Sequence, residues 1–373
     1  MLARNTKTCR YIGQVLDANF LTDQSVSRHS FYIKEVTEPV PGFVFIPVYP
    51  TQITLNSETY YRIYDIVSPA LFPDYTCIRP SSMQIVEVDD EPLTTSRGFF
   101  FPWKTSRSKR LFGSVESILT KHDLKDGIPI MDGITVGRSA TTWIISGNTG
   151  SGKSYCLRYF LEIWEHVTNR TGTKPAKLIL IDPKKSNAAR YARGHKNIQL
   201  IVPDLMERPE DFLMRTNEVL ANVISEQNRR QADLFNKSKR ISTDASELDL
   251  EPIYVIIEEM ASLTLSLPPT HPQVKDLFRQ LEQIALLGRE ALINLVITSQ
   301  IARNDVVPIP IRSQMNVRIL LGRIDKATVQ YLFPSMTEGL SIPIGGKGSG
   351  IIEIQDGNHF GVEPVEMPTI GNF

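Results

Sequence analysis

Eight consecutive residues, Gly147-Asn148-Thr149-Gly150-Ser151-Gly152-Lys153-Ser154, have the types and spacing of a phosphate-binding loop, with Tyr155 opening a helix-like stretch behind them. Gly147 and Gly152 let the backbone approach an anion with no side chain in the way, so its N–H groups point inward. Lys153 would reach the β- and γ-phosphates of ATP, and Ser154 would hold Mg²⁺. The helix that begins near Ser154 adds the positive end of its dipole. The plainer alternative, a glycine-rich turn, leaves the placement of Lys153 and Ser154 to chance. A second constellation is Glu258-Glu259, directly after the apolar run 253–257. At the carboxyl end of a strand in an open α/β sheet, one carboxylate would join the Mg²⁺ shell and the next would polarise the attacking water. Glu258 is then the metal-side residue and Glu259 the general base; the alternative is a solvated strand end.

These residues need a scaffold, and the chain from about 113 onward alternates apolar runs with helical stretches as a parallel α/β sheet does. Strands are expected at 142–146, 177–181, 198–202, 253–257, 294–298 and 317–321. Most are almost continuously apolar, as strands covered on both faces should be. Helices are expected at 209–239 and 273–292, the first ending in a charged, solvent-facing register around Gln227-Asn228-Arg229-Arg230. The fold class is α/β, a P-loop NTPase sheet of the RecA-like kind with helices on both faces, in a domain spanning 113–373. Residues 1–93 predict a small mainly-β domain, with short strands at 30–36, 43–49, 52–55, 60–67 and 83–88. Residues 94–112 interleave Phe99, Phe100, Phe101 and Trp103 with Arg97, Lys104, Arg107, Lys109 and Arg110. That segment reads either as a linker whose aromatics pack on a neighbouring domain, or as a contact for DNA or an anionic membrane.

Composition sets outer limits. A chain of 373 residues with 41% hydrophobic and 22% charged content matches a soluble globular protein of one or two domains. No run approaches the ~18 apolar residues of a membrane helix, and no signal-peptide pattern opens the chain, so a cytoplasmic location is expected. Cys9, Cys77 and Cys156 are too scattered for a disulfide framework or a zinc site. Basic and acidic residues balance at 41 each, so any nucleic-acid binding must come from local basic clusters.

Several motifs in order carry a family resemblance: LILIDPKKSNAARY at 178–191, ISEQNRRQADLF at 224–235, YVIIEEMASL at 254–263, LGREALINLVITSQ at 287–300 and GGKGSGIIEI at 345–354. Over roughly 113–360 the chain resembles the motor domain of the FtsK/SpoIIIE DNA translocases, closest to those of mobile elements and plasmid-transfer coupling proteins. The resemblance implies Lys153 and Ser154 as nucleotide ligands, Glu259 as catalytic acid and Gln300 as polar sensor. It implies Arg289 as the arginine that reaches a neighbouring subunit's nucleotide, where a guanidinium supplied in trans would neutralise transition-state charge. The alternative for Arg289 is a surface salt bridge with Glu282 or Glu290. Asp182 and Lys184 of the Asp-Pro-Lys motif are expected beside the nucleotide strand, with no chemical step assigned to them.

The sequence also departs from the family. Glu258 stands where an aspartate is usual, which puts tight Mg²⁺ geometry in doubt. Ile301 stands where a DNA-touching basic residue often follows the sensor glutamine, leaving Arg303 as the next candidate. Arg323 and Lys326 lie near another DNA-contacting position, and Arg312, between Arg303 and Arg323, is expected on the same DNA path. The resemblance implies double-stranded DNA as partner and a homo-oligomeric, hexameric ring as active form. No sequence-reading winged-helix domain is expected after Phe373, and no membrane anchor is expected at the start of the chain. Direction and any membrane recruitment are therefore expected from partners, such as membrane-anchored or relaxase-type proteins. The expected activity is ATP-driven translocation of duplex DNA in plasmid or mobile-element transfer. Two alternatives stay open: a HerA-like helicase or secretion ATPase, and a nucleotide-switched assembly protein without motor activity.

Overall fold

The computed structural model describes residues 2–4, 6–20, 30–51, 53–105, 109–240, 243–301, 303–334, 336, 346–359 and 361–371. It divides into two compact units, one of residues 1–109 with 357–363, the other of 110–356 with 364–373. Among the described residues no helix is long and apolar enough to cross a membrane.

The first unit is built on an antiparallel sheet ordered Leu2–Arg4, Phe31–Val36, Gly42–Pro47, Arg97–Thr105, Tyr75–Cys77, with Ile85–Glu87 also paired to Arg97–Thr105. Residues 97–105, expected within a linker, are thus the strand that joins three others. Strand alternation explains this: Phe99, Phe101 and Trp103 are fully buried on one face, and Phe101 stacks on Phe43 at 4.7 Å and on Tyr60 at 4.5 Å. Residues 60–67, expected as a strand, lie in the helix Ser57–Leu71. Its buried residues Tyr60, Ile63, Tyr64, Val67 and Leu71 recur at helical spacing, and the Asn56 side chain caps it by accepting from the Thr59 N–H at 2.9 Å. β-Branched and aromatic residues on the buried face mimicked a strand. Of the expected strand 52–55, Gln52 lies outside the described residues and 53–55 are irregular. Arg107 also lies outside them.

The second unit carries the parallel sheet. Its strand order is Ile198–Ile201, Lys177–Ile181, Ile253–Ile257, Ile293–Ser299, Thr142–Gly147, Val317–Leu321, with Ser349–Ile354 added antiparallel. Every residue of Ile253–Ile257 and Ile293–Ser299 is buried, which requires cover on both faces. On one face Trp143, Phe160 and Trp164 form an aromatic core with the helix Lys153–Glu165; elsewhere the helices Pro209–Lys237 and Pro272–Leu287 pack on each other. The α/β P-loop architecture read from the sequence is the one present. The charged stretch in Pro209–Lys237 differs from expectation, because Gln227 and Arg230 are buried. Arg230 donates to the Glu251 carbonyl at 2.9 Å and the Ala291 carbonyl at 3.0 Å, so it ties the helix to the chain just before two strands begin. Those carbonyls, together with the Glu226 carboxylate 2.8 Å from Arg230 Nε, make a buried guanidinium tolerable.

Candidate nucleotide site

The strand Thr142–Gly147 runs straight into the phosphate-loop sequence, and the helix Lys153–Glu165 begins on the other side of it. Gly152 has φ 98°, and a Cβ there would sit 2.5 Å from the Gly348 nitrogen, so glycine is required on both backbone and steric grounds. The helix has no side-chain cap, which leaves its first N–H groups for an anion. Asn148, Thr149 and Gly150 are exposed, as are Ser154 and Tyr155, while Ser151 and Lys153 are buried. The Ser151 hydroxyl is buried with no hydrogen-bond partner. An open glycine-rich rim, an uncapped helix start and an orphaned hydroxyl fit a bound polyphosphate.

One strand, Ile293–Ser299, separates the loop strand from Ile253–Ile257, and all three are parallel and in register. Glu258 and Glu259 therefore emerge at the same end of the sheet as the loop. Glu259 takes a left-handed backbone, φ 57° and ψ 69°, unusual for a residue with a side chain. That kink brings its carboxylate to Lys153, Oε2 to Nζ 2.9 Å, with Lys184 Nζ 3.8 Å from the same oxygen. Oε1 accepts from the Gln300 backbone N–H at 3.0 Å and the Ser299 hydroxyl at 3.3 Å. Burial pushes the Glu259 carboxyl up, but the Gln300 N–H and the Lys153 charge outweigh it and hold it below the usual carboxylate range.

Glu258 points to a different neighbour. Its Oε2 accepts from the Thr298 hydroxyl at 2.5 Å, and that same hydroxyl accepts from the Glu259 N–H at 3.1 Å. Burial pushes the Glu258 carboxyl above its ordinary value, against the opposing pull of the Lys153 charge and the Thr298 hydrogen bond. Adjacent glutamates are thus shifted in opposite directions by their surroundings, Glu258 upward and Glu259 downward.

Gln300 contributes its backbone N–H to the acid, whereas its side chain is exposed. Arg289 is exposed and precedes the strand Ile293–Ser299, so it lies at the end of the sheet opposite to the phosphate loop. No ion pair to Glu282 or Glu290 is present among the described residues. Its place follows from Gly288, where a Cβ would meet the carbonyls of Ile284 at 2.5 Å and Ile293 at 2.6 Å; the tight stop of the helix forces the next residue outward.

Arg303, Arg323 and Lys326 are exposed and follow strands that end beside the loop, Arg303 paired with Asp305 at 3.0 Å. Arg312 is not with them. It sits half-buried on the helix Ile309–Ser313, its guanidinium 4.4 Å from the Tyr331 ring, on the segment that returns to the amino end of Val317–Leu321. A parallel neighbour strand demands such a return. Arg110, expected in the basic linker, donates to Ser349 at 3.0 Å and Thr369 at 3.2 Å. Sequence reasoning also missed how the late glycine motif serves the loop: the Gly348 N–H donates to the Ser151 carbonyl at 2.7 Å. Gly345 of that motif lies outside the described residues.

No family model matches the chain. The DNA translocase FtsK of Bacillus cereus is 27% identical over 190 residues, 47% of this chain and 22% of that protein. The DNA translocase FtsK of Staphylococcus epidermidis is 28% identical over 192 residues, again 47% of this chain and 22% of that protein. This chain resembles the FtsK translocases. The part matched to them is about a fifth of their length. A solved structure described as the pCW3 conjugation coupling protein TcpA, monomer form with ATPγS, aligns with TM-score 0.55 at 16% identity, covering 97% of this chain and 95% of that one. That likeness in fold runs across almost the whole chain.

Proposed function

We propose that this chain is an ATP-hydrolysing motor that translocates double-stranded DNA, working in plasmid or mobile-element transfer. The observation that carries the reading is the meeting of Lys153 and Glu259 at 2.9 Å in a buried site, with the second carboxylate oxygen fixed by the Gln300 N–H. Lys153 is the phosphate cation and Glu259 the base that orients and polarises water. Residues 147–155 form the cradle, Tyr155 at its exposed edge. Mg²⁺ would be held by Ser154, with Glu258 behind it, and would supply charge neutralisation on the phosphates. Arg289 serves the nucleotide of a second copy in a ring, because its end of the sheet is roughly a strand length, ~20 Å, from its own loop. A hexamer is the expected ring. Arg303, Arg323 and Lys326 contact DNA phosphates without strong base preference.

The coupling-protein fold likeness and the FtsK resemblance support DNA as the cargo. Steady-state ATP hydrolysis with and without duplex DNA is the test. Stimulation by DNA in the wild type, absent in Lys153→Ala, is expected; hydrolysis indifferent to DNA would favour the assembly-switch reading.

A further inference from the structure

The second cation at the acid has no role in the site so far. Strand Lys177–Ile181 pairs with Ile253–Ile257 so that Ile181 stands opposite Ile257, and the residues after each strand emerge side by side. Asp182 is fully buried and braces the turn that follows: Oδ1 accepts from the Lys184 N–H at 2.9 Å, Oδ2 from the Ser186 N–H at 2.8 Å. Lys185 takes φ 52°, and Ser186 caps the helix Asn187–Ala192. The backbone under Lys184 is therefore fixed, while its side chain is half exposed and reaches to 3.8 Å from Glu259 Oε2.

We propose that Lys184 is a positioning residue that takes over Glu259 when Lys153 turns to the nucleotide. Both ammonium groups converge on one oxygen, Lys153 at 2.9 Å and Lys184 at 3.8 Å. Engaging phosphate draws Lys153 away from that oxygen. Without a replacement, a carboxylate buried to this degree loses its counter-charge at the moment it must stay ionised and aimed. A short movement of the flexible Lys184 side chain restores it, and Oε1 stays tethered by the Gln300 N–H throughout. Lys184 acts through Glu259 and touches no reacting atom. The inference rests on the reading of Glu259 as the base.

The test uses the full chain and two readouts. In ATPase assays Lys184→Ala should lower kcat about five-fold, the rate equivalent of a modest ion pair, with KM for ATP little changed, and Lys184→Arg should recover most of the loss. A raised KM at unchanged kcat would make Lys184 a phosphate ligand instead, and unaltered kinetics would make it a solvated surface residue; either overturns the proposal. The second readout needs no hydrolysis: a thermal-unfolding double-mutant cycle of Lys184→Ala with Glu259→Gln, without nucleotide, in wild-type and Lys153→Ala backgrounds. Coupling should be larger in the Lys153→Ala background, where Lys184 is the remaining partner; additivity in both backgrounds contradicts the exchange. A wild type that does not hydrolyse ATP would sink the proposed function alone, since the unfolding cycle still decides the role of Lys184.

Discussion

At the carboxyl end of the parallel sheet the key charges are buried and already paired, Lys153 with Glu259 at 2.9 Å, whereas at the amino end Arg289 is exposed and unpaired among the described residues. Around Arg289 a cleft is lined by three further cations, Lys125, Arg138 and Arg170, against Asp244 and Glu290. The difference is instructive about what each end lacks. The carboxyl end has a base, a phosphate lysine and the exposed Arg303 and Arg323, which the proposed reading gives to DNA rather than to charge that develops late in phosphoryl transfer. The amino end has the guanidinium and no phosphate loop. In the proposed ring, Arg289 of a second copy would reach the loop of the first.

The comparison breaks most completely at Lys153. Lys153→Ala should abolish hydrolysis and weaken nucleotide binding, measured by turnover and by fluorescent-nucleotide titration, because it removes the buried ammonium assigned to the phosphates. Next in size is Glu259→Gln, expected to cost about 10²–10⁴-fold in turnover, as loss of a general base does, while ATP binding persists. Robust turnover by that variant would remove Glu259 from its role. Replacing Arg303 and Lys326 by Ala together should abolish DNA stimulation and reduce the slope of log affinity against log salt by about 2, with basal hydrolysis kept. If the slope is unchanged, the DNA path lies elsewhere.

The smallest effect sharpens the contrast between the paired glutamates. Burial raises the Glu258 carboxyl in the folded protein, so its ionisation opposes folding: the cost is absent below its unfolded pKa and grows as pH rises through the folded one. Glu258→Gln should therefore raise Tm at pH 8 in metal-free buffer, with the gain shrinking as pH falls towards 4. For Glu259, held low by the Gln300 N–H and Lys153, the sign reverses: its contribution is present above the unfolded pKa and lost on acidification. Glu259→Gln should lower Tm at neutral pH, with the difference vanishing in acid.

The phosphate loop, the acidic strand and the order of apolar runs were legible because each is contiguous and each element is covered on both faces. Arg289 was legible as a candidate, but its place at the far end of the sheet follows from the parallel register of Ile293–Ser299 with Thr142–Gly147, which no local pattern reveals. Lys184 and Gly348 reach the site only through pairing between distant segments, Lys177–Ile181 with Ile253–Ile257 and the late glycine turn with Ser151. Arg312 was grouped with other arginines by proximity in sequence, yet the chain reverses direction between Arg303 and Val317 and carries it away. The helix Ser57–Leu71 hid behind tyrosines and isoleucines that also suit strands, although Asn56 and Glu58 signalled a helix start.

The most direct test of a site divided between the two ends of the sheet is ATPase activity in a mixture of Lys153→Ala and Arg289→Ala chains. Each alone should be nearly inactive, Arg289→Ala by about 10³-fold. Mixed in equal amounts, they should regain a measurable fraction of wild-type activity that rises with protein concentration, because some interfaces then join an intact Lys153 to an intact Arg289. A mixture no more active than its components, or an Arg289→Ala protein that turns over at the wild-type rate, would contradict it.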